Sequence, residues 1–294
     1  MKTTTKKGYA KINLHLDITG IREDGFHTVN NVMQTVTLCD TVTVTLRADG
    51  EYTVDCNNPS VPQNASNLAI KAAVAFEKEL GTAYGADIYV DKQIPMAAGL
   101  AGGSADAAAV LKAMNELCGN PFTVQKLCEI GSGLGSDVPF CIACGSAFAD
   151  GKGDILHPFP SMPDCIMVIA CGGEGVSTPK AFSMLDERYD KFCHYTPKSL
   201  VELKAALDEK DIKKIVASTF NIFEEPILSL RPVASAIKSA MLETDALGAM
   251  MSGSGPSVFG IFANEQDALS ACQKIKDLGV IPHICRPTTH ENID

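Results

Sequence analysis

The chain of 294 residues contains no apolar run of about 18 residues or more, so no membrane-spanning helix is expected. Its first residues, MKTTTKKGYAKINLHL, carry positive charge but no continuous apolar stretch, and do not read as a signal peptide. Positive charge is also short: 25 Lys and Arg against 35 Asp and Glu leave a net charge of −10. That balance argues against broad nucleic-acid or membrane-surface binding. An acidic protein that holds a polyanion must build positive potential locally, from helix ends, a few lysines and a metal ion. Two familiar phosphate signatures are missing. No Gly-Lys-Ser or Gly-Lys-Thr occurs, since Gly151-Lys152 runs into Gly153, and G-x-G-x-x-G is absent from the chain's Gly-rich loop. Neither an internal repeat nor a low-complexity tract is visible. The 11 cysteines are odd in number, and Cys141-Ile-Ala-Cys144 has no second C-x-x-C at zinc-ribbon spacing. Apolar neighbours such as Phe140 and Ile142 make them buried free thiols. With no secretion signal, a reducing cytoplasm is the expected location.

What is present is ordinary in bulk, 46% hydrophobic and 20% charged, and of a length that suits one large or two medium domains. One segment stands out. Ile94 to Leu111 reads IPMAAGLAGGSADAAAVL, in which Gly99, Gly102 and Gly103 punctuate a run of small residues before good helix formers begin at Ser104. A glycine-rich loop lets backbone approach a ligand, and the first N–H groups of the following helix point outward at its positive end. This is a phosphate cradle, or else a small-residue turn into a tightly packed Ala helix.

Gly8–Ile18 alternates as a half-buried strand, with Ile12, Leu14, Leu16 and Ile18 on one face and Lys11, Asn13, His15 and Asp17 on the other. Val29–Leu38 and Thr41–Arg47 read as two further strands around a tight turn at Cys39-Asp40, and Glu51–Asp55 as a short fourth. Asn64 or Ser66 caps a helix that Gly81 stops after Leu80. A strand at Ala86–Val90 then enters the loop, whose helix runs from Ser104 to about Cys118. Thr123 caps a helix to about Ile130, and Asp137-Val138-Pro139 opens another. Three prolines within Leu156–Asp164 mark the boundary between domains spanning 1–158 and 159–294. Beyond it come a strand at Cys165–Cys171 and helices at Pro179–Asp186, Pro197–Leu207, Ile212–Phe220 and Val233–Glu243. Strands at Ala249–Met251 and Ser257–Phe262, an Asn264-capped helix to Leu278 and a strand at Ile281–Arg286 follow. The order β-α-β-β-α-β, the helical insert aside, predicts a ferredoxin-like second domain.

Several residues could carry chemistry, each with a plainer alternative. Lys11 and Asn13 belong to a solvated strand face or to a site. Asp24-Gly25-Phe26-His27 is a turn with one core aromatic, or a surface on which a flat ring stacks. Asp137, after Gly131-Ser-Gly-Leu-Gly-Ser136, is a helix cap or a base in a cleft. Ser252-Gly-Ser-Gly-Pro256 is a plain hairpin or one wall of an active site.

Three separated motifs, Ala10-Lys-Ile-Asn-Leu14, the loop Pro95–Ala109 and Ser252-Gly-Ser-Gly-Pro256, in this order resemble the GHMP kinases, named for galacto-, homoserine, mevalonate and phosphomevalonate kinases. The likeness covers essentially the whole chain. Arg22-Glu-Asp-Gly-Phe-His27, the Gly99–Ala108 form of the loop and Gly135-Ser-Asp-Val-Pro139 are most similar to one branch of that family. That branch acts on a cytidine diphosphate-linked methylerythritol of the non-mevalonate isoprenoid route.

The resemblance implies an α+β, two-domain fold, with an N-terminal ribosomal-protein-S5-like domain, a C-terminal ferredoxin-like domain and the active site between them. It implies that Lys11 and Asp137 are catalytic. Pro95, Met96, Ala97, Ala98, Gly99, Leu100, Ala101, Gly102, Gly103, Ser104 and Ala105 would wrap the phosphates of ATP. Asn13, Phe26, His27, Thr178 and Phe182 would lie near the cytidine diphosphate portion of the substrate. The implied reaction transfers the γ-phosphoryl group of ATP, with Mg2+, to the 2-hydroxyl, with Asp137 as base and Lys11 orienting it and offsetting phosphate charge. A small-molecule substrate, no nucleic acid, no membrane, and a monomer or homodimer are expected. The alternatives are a GHMP kinase of homoserine or mevalonate type and a catalytically silent metabolite-binding relative. Ala101 and Ala105 stand where many members have Gly and Ser, and Phe26 where Tyr is common.

Overall fold

β1 (Thr3–Ile21) pairs along its whole length with β2 (His27–Leu46), antiparallel. The computed structural model describes residues 2–151, 153 and 155–288, with only the backbone of Thr178. Gly8–Ile18 is buried on both faces rather than half-buried. Ile12, Leu14 and Ile18 enter the core, while Lys11, Asn13, His15 and Asp17 are covered by the loop and by the C-terminal half of the chain. Register shifts between Tyr9 and Lys11 and between Asn13 and His15 flank the two polar residues nearest the loop. Such bulges re-aim side chains and recur beside active sites.

β2 is one strand, not two. No turn forms at Cys39-Asp40, because the fully buried Asp40 carboxylate is used elsewhere: it accepts from the backbone of Gln93 (2.6 Å) and Ile94 (2.8 Å) and pairs with Lys92 (2.5 Å). β3 (Tyr52–Cys56) leads to α1 (Leu68–Leu80), capped by Asn67 rather than Asn64 or Ser66. Asn64 instead closes a local turn onto the Ser66 N–H, and Gly81 ends the helix in the left-handed region. β4 (Ala86–Asp91) enters the loop, and α2 (Gly102–Leu117) leaves it. α3 (Val124–Ser132), capped by Thr123, and α4 (Val138–Ala143) follow, then β5 (Ser146–Asp150) and β6 (Ile155–Pro158). The last two are short and carry between them one β-branched residue, Ile155, and sequence pattern did not predict them.

β7 (Ile166–Cys171) begins a second sheet. After it come α5 (Thr178–Arg188), a short 3-10 turn at Asp190–Phe192, α6 (Val201–Asp208) and α7 (Ile212–Ser218). α7 stops before Phe220 because Phe220–Asn221 forms β8, parallel to His15-Leu16 of β1. α8 (Glu224–Leu230) escaped prediction because Pro226 reads as a breaker, although proline is tolerated in a first helical turn. α9 (Pro232–Leu242), β9 (Gly248–Met251), β10 (Ser257–Phe262), α10 (Glu265–Asp277, capped by Asn264) and β11 (Pro282–Cys285) complete the chain.

The first sheet has the order β3-β4-β2-β1-β8, with β5 on β2 and β6 on β5. The second has the order β11-β7-β10-β9 with every pair antiparallel, which is the arrangement a split βαβ pair produces. Its core holds Val168, Ile237, Met241, Phe262 and Ile275. The class is therefore α+β, as expected. All 11 cysteines are free, and burial pushes the Cys141 and Cys144 thiols up. No helix among the described residues is long and apolar enough to cross a membrane.

Candidate active site

The loop between β4 and α2 is curled by three residues in the left-handed region at alternate positions: Ala97 (φ 49°), Gly99 (φ 79°) and Ala101 (φ 59°). Backbone curls of this kind gather N–H groups into an anion-binding concavity. α2 starts at Gly102, two residues before the predicted start, and its N-cap Ala101 provides no side-chain hydrogen bond. The first N–H groups of α2 are thus left uncapped at the positive end of the helix, where an anion is favoured. The Leu100 side chain and Ala105 are buried in the core, and Pro95 and Met96 line a separate cavity. These four therefore do not border the cleft as Ala97, Ala98, Gly99 and the run from Ala101 to Ser104 do; the missing hydroxyl at 105 is lost from the core side.

A second loop locks onto the first. A Cβ on Gly99 would lie 2.1 Å from the Ser252 carbonyl oxygen, so only glycine permits this approach. Ser252 Oγ donates to Gly99 O (3.0 Å), and the Ser257 N–H to Ala98 O (3.2 Å). Asn221 holds the second loop from behind, donating to Met251 O (2.7 Å) and Gly253 O (2.9 Å). Ser252–Pro256 is a wall of the cleft rather than a plain hairpin.

Lys11 is tied to the phosphate loop by its own N–H, which donates to Leu100 O at 3.2 Å. Its ammonium donates to Asn13 Oδ1 (2.8 Å) and stands 4.0 Å from Asp137 Oδ2. Asn13 in turn donates to Asn31 Oδ1 (2.6 Å) and accepts from Ser252 Oγ (3.3 Å). Asp137 precedes α4 but its side chain makes no cap. The carboxylate is 32% exposed and lines the cleft, which sets aside the helix-cap reading.

Lys11, Asn13, Asp137, Phe182 and the loop from Ala97 to Ser104, Leu100 excepted, border one cleft of about 540 Å³. Behind the loop lies a second, more apolar cavity of about 270 Å³, lined by Val61, Pro62, Leu68, Pro95 and Met96. Lys92 closes its floor, paired with Asp40 and with Asp106 (2.7 Å). Burial works against the Lys92 ammonium, but the two carboxylates outweigh it and its pKa is raised. For Asp106 burial acts in the opposite sense, raising its pKa.

The far end of the cleft is aromatic. The Phe182 ring lies 4.6 Å from His27 and 5.0 Å, edge on, from Phe223. His27 Nε2 is 2.7 Å from Asp186 Oδ1. Phe26 is 56% exposed, and neither it nor His27 is among the residues that border the cleft; His27 packs behind Phe182, which does border it. Thr178 begins α5, but its side chain lies outside the described residues. Asn31, Lys92, Asp186 and Asn221 were not singled out from sequence. Each is a lone polar residue whose partner is remote, and no local pattern marks it.

The GHMP kinases N terminal domain matches residues 67–145, and the GHMP kinases C terminal domain matches residues 202–281. A 4-diphosphocytidyl-2-C-methyl-D-erythritol kinase of Alkaliphilus metalliredigens is 38% identical over 295 residues, covering 100% of both chains. The kinase of the same name from Brevibacillus brevis is 42% identical, covering 88% of this chain and 87% of its own. The crystal structure of a 4-(cytidine 5'-diphospho)-2C-methyl-D-erythritol kinase superimposes with a TM-score of 0.80 at 26% identity, covering 97% of this chain and 100% of that one. With both domain models matched and full-length relatives at this identity, the chain belongs to the GHMP kinases, enzymes that transfer a phosphoryl group from ATP.

Proposed function

We propose that the chain phosphorylates the 2-hydroxyl of 4-diphosphocytidyl-2-C-methyl-D-erythritol, with Mg-ATP as donor. The observation that carries this reading is the layout of the cleft. A phosphate-type loop and the Lys11–Asp137 pair stand at one end, and Phe182, backed by His27, and Phe223 at the other. A substrate with a reacting alcohol at one end and a nucleobase at the other fits that division. The relatives named above support it.

The apolar cavity behind the loop suits the base of ATP, and the uncapped N–H groups of α2 suit its β- and γ-phosphates. Ser104 and Asp137 give the cleft oxygen donors, which fit Mg2+ brought in on nucleotide oxygens. That ion supplies positive charge to the transferring phosphoryl group. Asp137 accepts the proton of the acceptor hydroxyl as its oxygen bonds to the γ-phosphorus and the bond to ADP breaks. Lys11, steadied by Asn13, offsets charge on the reacting phosphate. The domain boundary falls within Leu156–Asp164, where β6 of the first sheet gives way to β7 of the second, with β8 returning to the first.

A kinase of homoserine or mevalonate type would have no use for the aromatic end. ADP release with Mg-ATP and each alcohol in turn tests the choice. Release is expected with the cytidylyl substrate, and release with mevalonate or homoserine in its place would overturn the reading.

A further inference from the structure

Asp17 lies on the same polar face of β1 as Lys11 and Asn13, yet it is fully buried and borders no part of the cleft. Its carboxylate is spent on a distant segment. Oδ1 accepts from the Tyr195 hydroxyl at 2.7 Å and from the Ile18 N–H at 2.8 Å, and Oδ2 accepts from the Lys198 N–H at 2.7 Å. The segment it holds is strained. Asp190, Lys191 and Phe192 follow one another in the left-handed region, with φ of 44°, 51° and 65°, and none is glycine. Backbone of this kind persists only where its surroundings over-determine it.

From that anchor an unbroken line of rings leads to the cleft. Tyr195 meets Phe192 edge on at 5.4 Å, Phe192 meets His27 edge on at 5.8 Å, and His27 meets Phe182 at 4.6 Å. Tyr189 packs against both Phe192 (5.5 Å) and Tyr195 (4.8 Å). We propose that Asp17 is a positioning residue for the nucleobase end of the site: by pinning Tyr195 and the Lys198 backbone it sets Phe192 behind His27 and His27 behind Phe182, and so fixes the ring that borders the cleft and against which the base of the substrate lies. The inference rests on the nucleobase reading given above. Asp17 touches no substrate in this account. It acts through Tyr195 and Phe192, and the site gains selectivity for an alcohol that carries a base.

Steady-state kinetics of Tyr195→Phe and Asp17→Asn test it, with Phe182→Ala alongside. Tyr195→Phe keeps the ring and removes only the hydroxyl, so its fold is retained. Each of the two anchor variants should raise KM for the cytidylyl substrate about fivefold or more while KM for ATP stays within about twofold. The double variant should be no worse than the larger single, because both changes break one contact. If Phe182→Ala raises that KM and the anchor variants do not, the anchor is overturned and the nucleobase reading stands. If all three leave it unchanged, both fall. A parallel rise in both KM values marks a merely structural role and overturns the proposal.

Discussion

The Lys11 ammonium stands 4.0 Å from Asp137 Oδ2 and 2.8 Å from Asn13 Oδ1. It is therefore held by a neutral amide while facing a carboxylate that is open to the cleft. That geometry fits the role of base proposed for Asp137. Asp137→Asn should lower kcat by about 10²- to 10⁴-fold with little change in KM for ATP, as expected for loss of a general base. Lys11→Ala should behave similarly. A near-normal kcat in either variant removes that residue from the chemistry.

Gly99 is where the two loops touch. A Cβ there would meet the Ser252 backbone at 2.1 Å, and φ of +79° disfavours any side chain. Gly99→Ala must part the loops, so it should lower melting stability by about 2 kcal/mol or more and depress kcat/KM strongly. Thermal unfolding and kinetics together check this. An unperturbed variant would show that the loops are not locked.

Lys92 bridges two buried carboxyl groups, Asp40 and Asp106, beneath the loop, and burial raises the pKa of Asp106 to about 7. Lys92→Ala leaves both without their cation and should destabilise the fold by about 3–5 kcal/mol in denaturant unfolding. A loss below about 1 kcal/mol would show that the buried group is already neutral in some other way.

His15 carries a pH signature. It is buried against Phe220, both ring nitrogens lack a partner among the described residues, and burial lowers its pKa from 6.5 to about 4. The unfolded chain therefore takes up this proton first as pH falls. The stabilisation is complete above pH 6.5 and is lost progressively down to about pH 4, amounting to about 3 kcal/mol. His15→Phe should flatten the stability profile in that window relative to the parent. Parallel profiles would contradict the assignment.

Much of this was legible in the sequence because it follows local periodicity or local chemistry. The alternation around Ile12 and Leu14 marked β1, Thr123 and Asn264 marked helix starts, and Gly81 marked a helix end. The loop announced itself through Gly99, Gly102 and Gly103. What escaped depends on partners far along the chain. Asp40 reads as a turn residue until the N–H groups of Gln93 and Ile94 are seen to need it. The polar face of β1 reads as solvated until Leu100, Phe220 and Tyr195 arrive to cover it. Asn67 was hidden among neighbouring residues of equal capping strength. For the site, small residues and a lone lysine indicated where phosphate and charge would meet. The hydrogen bonds of Asn31, Asp186 and Asn221 that hold the site in shape left no local trace.

The most direct test of the account is the identity of the phosphorylated product. The full chain is incubated with Mg-ATP and 4-diphosphocytidyl-2-C-methyl-D-erythritol, and the product is read by phosphorus and carbon NMR. The account predicts one new phosphomonoester, coupled to C2 of the methylerythritol portion, formed together with an equal amount of ADP. Phosphate on a different hydroxyl, or ADP formed with no phosphorylated alcohol, would contradict it.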